Sequence, residues 1–371
     1  MEINNNNGKA KIIAYYLPQF YPCEFNNKWY GEGFTEWTNV GKAKPLFRGH
    51  QQPKVPSELG YYDLRLPEVA EKQAKLAKEA GVYGFCYWHY WFGNGRKLLD
   101  MPAERMLLSQ KPDFPFCFGW ANESWYKKLW QKDSKGDALI MEQTYPGEQD
   151  IIDHFNYCLP FFQDKRYLTV NGRPLFMIYR PFQDFDVKAF INKWNEMIRE
   201  NGIADSFCFF TMIYKDEDID KAKEMGFDYV TFNHFSHLRN HIKTSFFEYW
   251  KYRVREFLAA HANCAKRLDL KKVTKFCWTK AEDREDVLPN LIPNWDHSPR
   301  SGYRDDIIVN NNKENWGRMI DMVMSKLEKK NNKIVMLKSW NEWGEGNYME
   351  PDIYNGKMYI EVLGAKTNKY E

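Results

Sequence analysis

No uninterrupted apolar stretch in this 371-residue chain reaches the ~20 residues that a bilayer-spanning helix needs. The N-terminus, MEINNNNGKAK, is polar and lacks the apolar core of a signal peptide, so the chain reads as unexported and cytoplasmic. Residues 1–10 are expected to be flexible. Charge of one sign is missing too: 53 Lys and Arg against 50 Asp and Glu leave +3, with no basic stripe for a phosphate backbone. A nucleic-acid partner is therefore not expected. Seven cysteines are scattered without a CxxC pair, which argues against a disulfide framework or a zinc site. Cys86, Cys117 and Cys208 sit in apolar runs, where cysteine acts as a small hydrophobe. No Pro/Gly/Ser-rich linker, low-complexity tract or short repeat divides the sequence, so one domain over residues 1–371 is expected. No GxGxxG follows an expected strand and no DxD stands at a strand end, which leaves nucleotide-sugar binding without a motif. No cofactor is implied.

Aromatic residues are what the chain has in quantity: 17%, with 14 Trp and 23 Tyr. A core absorbs many of these, but others cluster beside polar residues in loops. Sugar sites call for that mixture, flat rings for the C–H faces of pyranoses and carboxylates or amides for the hydroxyls.

Apolar, β-rich runs alternate with amphipathic helical stretches, the pattern of repeated βα units. Strands are expected at 12–17, 82–88, 116–120, 174–179, 207–213, 229–232 and 334–339. The seventh has two candidates, Val273–Trp278 and Leu288–Trp295, and the second is favoured because it leads into WDHSPR. Pro67 opens a helix closed by Gly81, and Asp186 caps one carrying Phe190, Ile191, Trp194 and Ile198 up to Gly202. Further helices are expected at 216–225, 246–261 and 314–330. Eight strands fit an α/β fold, a (β/α)₈ TIM barrel with long βα loops, better than an open doubly wound sheet.

In such barrels the functional groups lie at the C-terminal ends of the strands. Those positions hold Tyr15, then Trp88, His89, Tyr90 and Trp91, then Asn122, Glu123 and Trp125. Further along come Tyr179, His234, Asp296, Arg300, Trp340, Asn341, Glu342, Trp343, Glu345 and Glu350. Strand interiors are apolar while their ends are polar or aromatic, which is the main residue-level argument for a sugar site.

Glu342 and Glu345 stand three residues apart in NEWGE, and Gly344 and Gly346 permit a tight turn that presents both. Glycoside cleavage needs a protonated acid at the leaving oxygen and a second carboxylate as base or nucleophile. The same spacing also fits an acidic surface turn. Asn122–Glu123 reads as a pair for sugar hydroxyls or as a loop anchor, and Asp296 and Arg300 as substrate contacts or as a salt bridge shaping their loop. His89 reads as a lining residue. His234, His237 and His241 fall on one helical face with no carboxylate among them, so no metal site is expected.

In order along the chain, IAYYLPQFYP, GFTEWTNV, PSELGYYDLR, GVYGFCYWHYWF, FGWANESW, NWDHSPR and SWNEWGEGNYMEPD resemble the glycoside hydrolase family 99-like, or WbsX-like, group over nearly the whole length. That group is similar to retaining endo-acting α-mannosidases built as (β/α)₈ barrels. The resemblance implies that Glu342 is a base assisting the substrate's own 2-hydroxyl and Glu345 the acid/base at the glycosidic oxygen, through an anhydro-sugar intermediate. Where the mannosidase motif has histidine, this chain has Gly344, and WbsX-like members are also described as glycosyltransferases. The expected function is a retaining glycoside hydrolase or transglycosylase on a bacterial polysaccharide or oligosaccharide. The alternatives are a glycosyltransferase of surface polysaccharide synthesis and a non-catalytic carbohydrate-binding barrel.

Overall fold

The computed structural model describes residues 1–3, 8–126, 138–243 and 246–370, with the side chains at 234, 242, 243 and 370 outside the description. Its centre is a ring of parallel strands: β1 (Lys11–Tyr16), β2 (Val82–Trp91), β3 (Phe116–Trp120), β4 (Arg173–Ile178), β5 (Cys208–Ile213) and β6 (Tyr229–Phe232) follow one another as hydrogen-bonded neighbours. The seventh strand comes in two pieces on either side of Pro289. Val287–Leu288 pairs with β6, and Asn290–Leu291 pairs with β8 (Ile334–Leu337). β8 returns to β1 with Val335 opposite Ile12 and Met336 opposite Ile13. The nine ladder segments thus belong to eight strands, and the (β/α)₈ expectation holds.

Proline lacks an N–H, so it interrupts the ladder at 289 and the strand hands over from one neighbour to the other. Asn290 bridges the handover, its Nδ2 donating to Thr231 Oγ1 at 2.9 Å and to the Phe232 carbonyl at 3.3 Å. The favoured candidate for strand seven is therefore the right one. Val273–Trp278 instead falls in the helix Leu270–Lys275 and the turn after it, because Asp269 caps that helix by accepting from Lys271 N.

β2 runs three residues beyond the expected 82–88. A short return strand, Lys97–Leu98, pairs with Trp91 and Tyr90 and prolongs it. Near the N-terminus, expected to be flexible, Glu2–Ile3 pair with Thr169–Val170 and Ile3 is buried. The helix Val187–Glu200 starts as expected, with Asp186 accepting from Ala189 N, and buries Phe190, Ile191, Trp194 and Ile198. Its neighbour Glu148–Phe162 contributes Phe155, Phe161 and Phe162. These rings pack on Phe118, Phe176 and Phe209, which point outward from β3, β4 and β5. Much of the aromatic excess is thus helix-to-barrel core, where each ring removes a large apolar area from water.

Replacing Asn290 with Ala should leave Thr231 and the Phe232 carbonyl short of a buried donor. Equilibrium unfolding in urea should show a loss of about 1–3 kcal/mol. An unchanged midpoint would show that the handover at Pro289 does not depend on this side chain.

Candidate active site

After β8 the chain makes a narrow hairpin. Asn341–Glu342 pair antiparallel with Asn347–Tyr348, and Trp343–Glu345 form one 3₁₀ turn between them. Gly346 closes the turn at φ +52, a conformation few side chains tolerate, and a Cβ there would meet the Asp296 backbone within 2.9 Å. Three neighbours hold the hairpin. Asn341 accepts from Leu17 N at 2.7 Å and donates to Leu17 O at 3.0 Å, tying it to the end of β1. Asn294 accepts from Tyr348 N and Asp296 N donates to Glu345 O at 2.8 Å, tying it to the segment after the seventh strand. Trp343 stacks on Tyr348 and donates to Glu350 at 2.6 Å; Glu350 also accepts from Gln73 and Tyr62 of the first βα unit.

The product of this bracing is a carboxylate cluster around one guanidinium. Arg300 is buried. Its Nε donates to Glu36 at 2.7 Å, Nη1 to Glu345 at 2.7 Å, and Nη2 faces Glu342 at 3.4 Å. Burial works against the arginine's charge, but the three carboxylates outweigh it and hold the group firmly protonated. Burial first, then the charge of Glu345, pushes Glu342 up to about 8, with Arg300 opposing. Glu342 is thus held toward its protonated form.

A cavity of about 580 Å³ opens over this cluster at the C-terminal end of the barrel. Nine of the expected site residues line it: Tyr15, Trp88, Tyr90, Glu123, Trp125, Tyr179, Arg300, Glu342 and Glu345. Tyr15 and Trp88 stack in parallel at 5.1 Å, and Tyr90 and Trp125 meet edge to face at the same separation. The Tyr15 hydroxyl is buried with no hydrogen-bond partner among the described residues. Glu123 is held by Arg180 at 2.8 Å.

The remaining expected residues whose side chains are described do not line the cavity. The pleat of β2 sends Trp88 and Tyr90 inward and His89 and Trp91 outward, since neighbouring side chains in a strand face opposite ways. His89 bonds His154 at 2.8 Å inside the helix layer, and burial holds it neutral by lowering it to about 3. Trp91 donates to Asp150. Asn122 accepts from Arg180 N and donates to Arg180 O, which makes it the loop anchor of the two readings. Trp340, Asn341, Trp343 and Glu350 form the packing behind the glutamates. Burial raises Glu350 to about 7 against its three donors. The expected Asp296–Arg300 bridge is not formed. Asp296 is enclosed by His50 at 2.8 Å and Gln52 at 2.5 Å, and although burial raises its carboxyl, the His50 bond prevails and holds it low.

The side chain of His234 lies outside the described residues. Its segment has no carboxylate of its own, but the fold supplies one. Asp216, from the loop after β5, lies 2.8 Å from His237 Nε2, and His241 Nε2 lies 3.0 Å from the same atom.

Sequence reasoning missed Glu36, Tyr30, Phe34 and Lys338 as wall residues. Glu36 stands in the GFTEWTNV stretch on the short helix Glu36–Gly41, where nothing local marks it as facing a site 264 residues away. The signal is at Gly344. A Cβ built there would stand 1.8 Å from Glu36 Oε1 and 2.9 Å from Arg300 Nε, so the Glu36–Arg300 pair occupies the volume a side chain at 344 would need.

The sequence profile of the family described as Glycosyltransferase WbsX matches residues 12–363. Two relatives, each described as uncharacterized protein WxcX, from Xanthomonas campestris pv. campestris strains ATCC 33913 and B100, are 29% identical over 357 residues, 95% of this chain. The chain spans 49% of their length. Among solved structures, a glycoside hydrolase-like protein superposes with a TM-score of 0.62 at 14% identity, covering 97% of this chain and 94% of that one. The GH99 endo-alpha-mannosidase from Bacteroides thetaiotaomicron superposes with a TM-score of 0.55 at 16% identity, covering 97% of each. At these identities the likeness is one of fold.

Gly344→Ala should push Glu36 off Arg300 and leave buried charge uncompensated, costing about 3–5 kcal/mol in chemical denaturation. Glu36→Ala should also destabilise alone, yet recover part of the loss when combined with Gly344→Ala, because the methyl then has room. Strictly additive losses would show that the clash is relieved elsewhere.

Proposed function

The chain belongs to the glycosyltransferase WbsX family; from that premise we propose that it is a carbohydrate-active enzyme, a retaining glycoside hydrolase or transglycosylase acting on a bacterial polysaccharide or its oligosaccharides. The observation that carries this reading is that Glu342 and Glu345 open into one aromatic-walled cavity and share Arg300. An acidic surface turn would leave them in bulk solvent with no common partner.

In the proposed reaction Glu342 takes the proton of the sugar 2-hydroxyl, and O2 attacks the anomeric carbon of its own ring. The glycosidic bond breaks as Glu345 protonates the leaving oxygen. Glu345 then takes a proton from water or an acceptor hydroxyl, whose oxygen opens the anhydro ring, while O2 recovers its proton from Glu342. Two displacements at one carbon retain its configuration, and the pair holds one proton throughout. Burial and the charge of Glu345 incline that proton toward Glu342. A 2-hydroxyl donating to Glu342 favours its anion, so substrate moves the pair toward the productive arrangement. Trp88, Tyr90 and Trp125 offer ring faces and edges to the sugar.

The family's description favours a second reading, transfer from an activated donor. A nucleotide-sugar brings a diphosphate, which calls for unshared basic groups. Among the described residues, Arg300 is divided among three carboxylates and Arg180 is paired with Glu123, which leaves Lys338, over the Trp295 ring, as the cavity-lining cation to meet such a charge. Product analysis on an oligosaccharide panel, with and without nucleotide-sugars, separates the readings. Product formation that requires the nucleotide would sink the hydrolase.

Glu345→Gln should lower kcat by about 100-fold or more on natural substrates while KM changes little. Glu342→Gln should slow the first step for every leaving group. The parent's kcat/KM should fall as pH rises through about 8, where the pair loses its one proton. Near-normal rates in both variants would remove the catalytic assignment.

A further inference from the structure

Outside the barrel, the helix Phe246–Ala262 carries its apolar residues on the wrong side for a core. Phe246, Phe247, Trp250, Val254, Phe257 and Leu258 are between 38% and 77% exposed. At helical spacing these six fall within an arc of about 120° on the solvent side. The opposite face is the one that packs: Ala259 is buried, Glu248 is bonded to Lys272 and Glu256 to Lys266 at 2.5 Å. The stripe is bordered by positive charge on both edges, with Lys251 and Arg255 along one and Arg253 along the other. All three are exposed, and neither arginine has an ion pair among the described residues.

We propose that this helix docks on the surface of a membrane rich in anionic phospholipid, with its aromatic stripe at the acyl boundary and its basic borders among the headgroups. Aromatic side chains flanked by lysine and arginine are the chemistry of helices lying in a membrane interface. Charge also sets the bilayer apart from a second copy of the chain, because two such helices face to face bring basic borders against basic borders. No described helix is long and apolar enough to cross a membrane, and a stripe on one face of a helix meets a bilayer at its surface. The helix packs against the turn Gly302–Arg304, two residues beyond Arg300. The proposal stands independently of the reaction assigned to the cavity.

Flotation of the full chain with phosphatidylcholine vesicles, and with vesicles of equal parts phosphatidylcholine and phosphatidylglycerol, tests it. The protein should float with the mixed vesicles at low salt, float far less with phosphatidylcholine alone, and be released as salt rises. Trp250→Ser with Phe257→Ser, and separately Lys251→Glu with Arg255→Glu, should each cut the bound fraction about tenfold with an unchanged circular dichroism spectrum. A parent that fails to float with the mixed vesicles, or variants that float as well as the parent, would overturn the proposal. So would a lipid-free dimer, by light scattering, that the Trp250→Ser, Phe257→Ser variant converts to monomer, since the stripe would then belong to a second copy.

Discussion

One buried guanidinium holds the cavity floor together. Arg300 receives Glu36 from the first βα loop and Glu342 and Glu345 from the hairpin after β8, and itself comes from the segment after the seventh strand. Taking four ionisable groups out of water is costly, and only mutual pairing makes it tolerable. Each partner therefore depends on the others, and the backbone must comply. Gly344 lacks a side chain because the Glu36–Arg300 pair fills that volume, and Gly346 turns the chain where Asp296 presses on it. Strand closure brings these loops together, since β8 lies between β1 and the second half of the seventh strand.

The same cluster controls the chemistry of the glutamates. Glu342 sits deeper and farther from Arg300, so burial and the charge of Glu345 dominate and push it toward its protonated form. Glu345 is closer to the cation and partly open to the cavity. A matched pair of carboxyls becomes an unequal one through position alone, and the reaction proposed above needs substrate to reverse that order.

Aromatic residues serve three separate purposes. Phe118, Phe176, Phe209 and Trp194 fasten helices to the barrel; Trp88, Tyr90 and Trp125 line the cavity; Phe246, Trp250 and Phe257 face outward from a helix whose other side is occupied. Composition reports only their sum. Two residues apart in β2, Trp88 and Tyr90 face the cavity, while His89 and Trp91 beside them belong to the helix layer.

The sequence by itself determined the alternation of strands and helices, the count of eight, and the placing of Glu342 and Glu345 just beyond the last strand. These depend on local periodicity and on short turns, both written in contiguous residues. The pair Val273–Trp278 and Leu288–Trp295 could be ordered but not separated by propensity, because a capped helix start and a short apolar strand look alike over six residues. Tertiary structure alone decided which polar strand-end residues meet. Glu36 and Arg300 are 264 positions apart, and Asp296, expected beside Arg300, is claimed by His50 and Gln52. Contacts of that kind arise from closing the barrel and seating its long loops against each other, and a one-dimensional pattern carries no information about which distant charge will arrive.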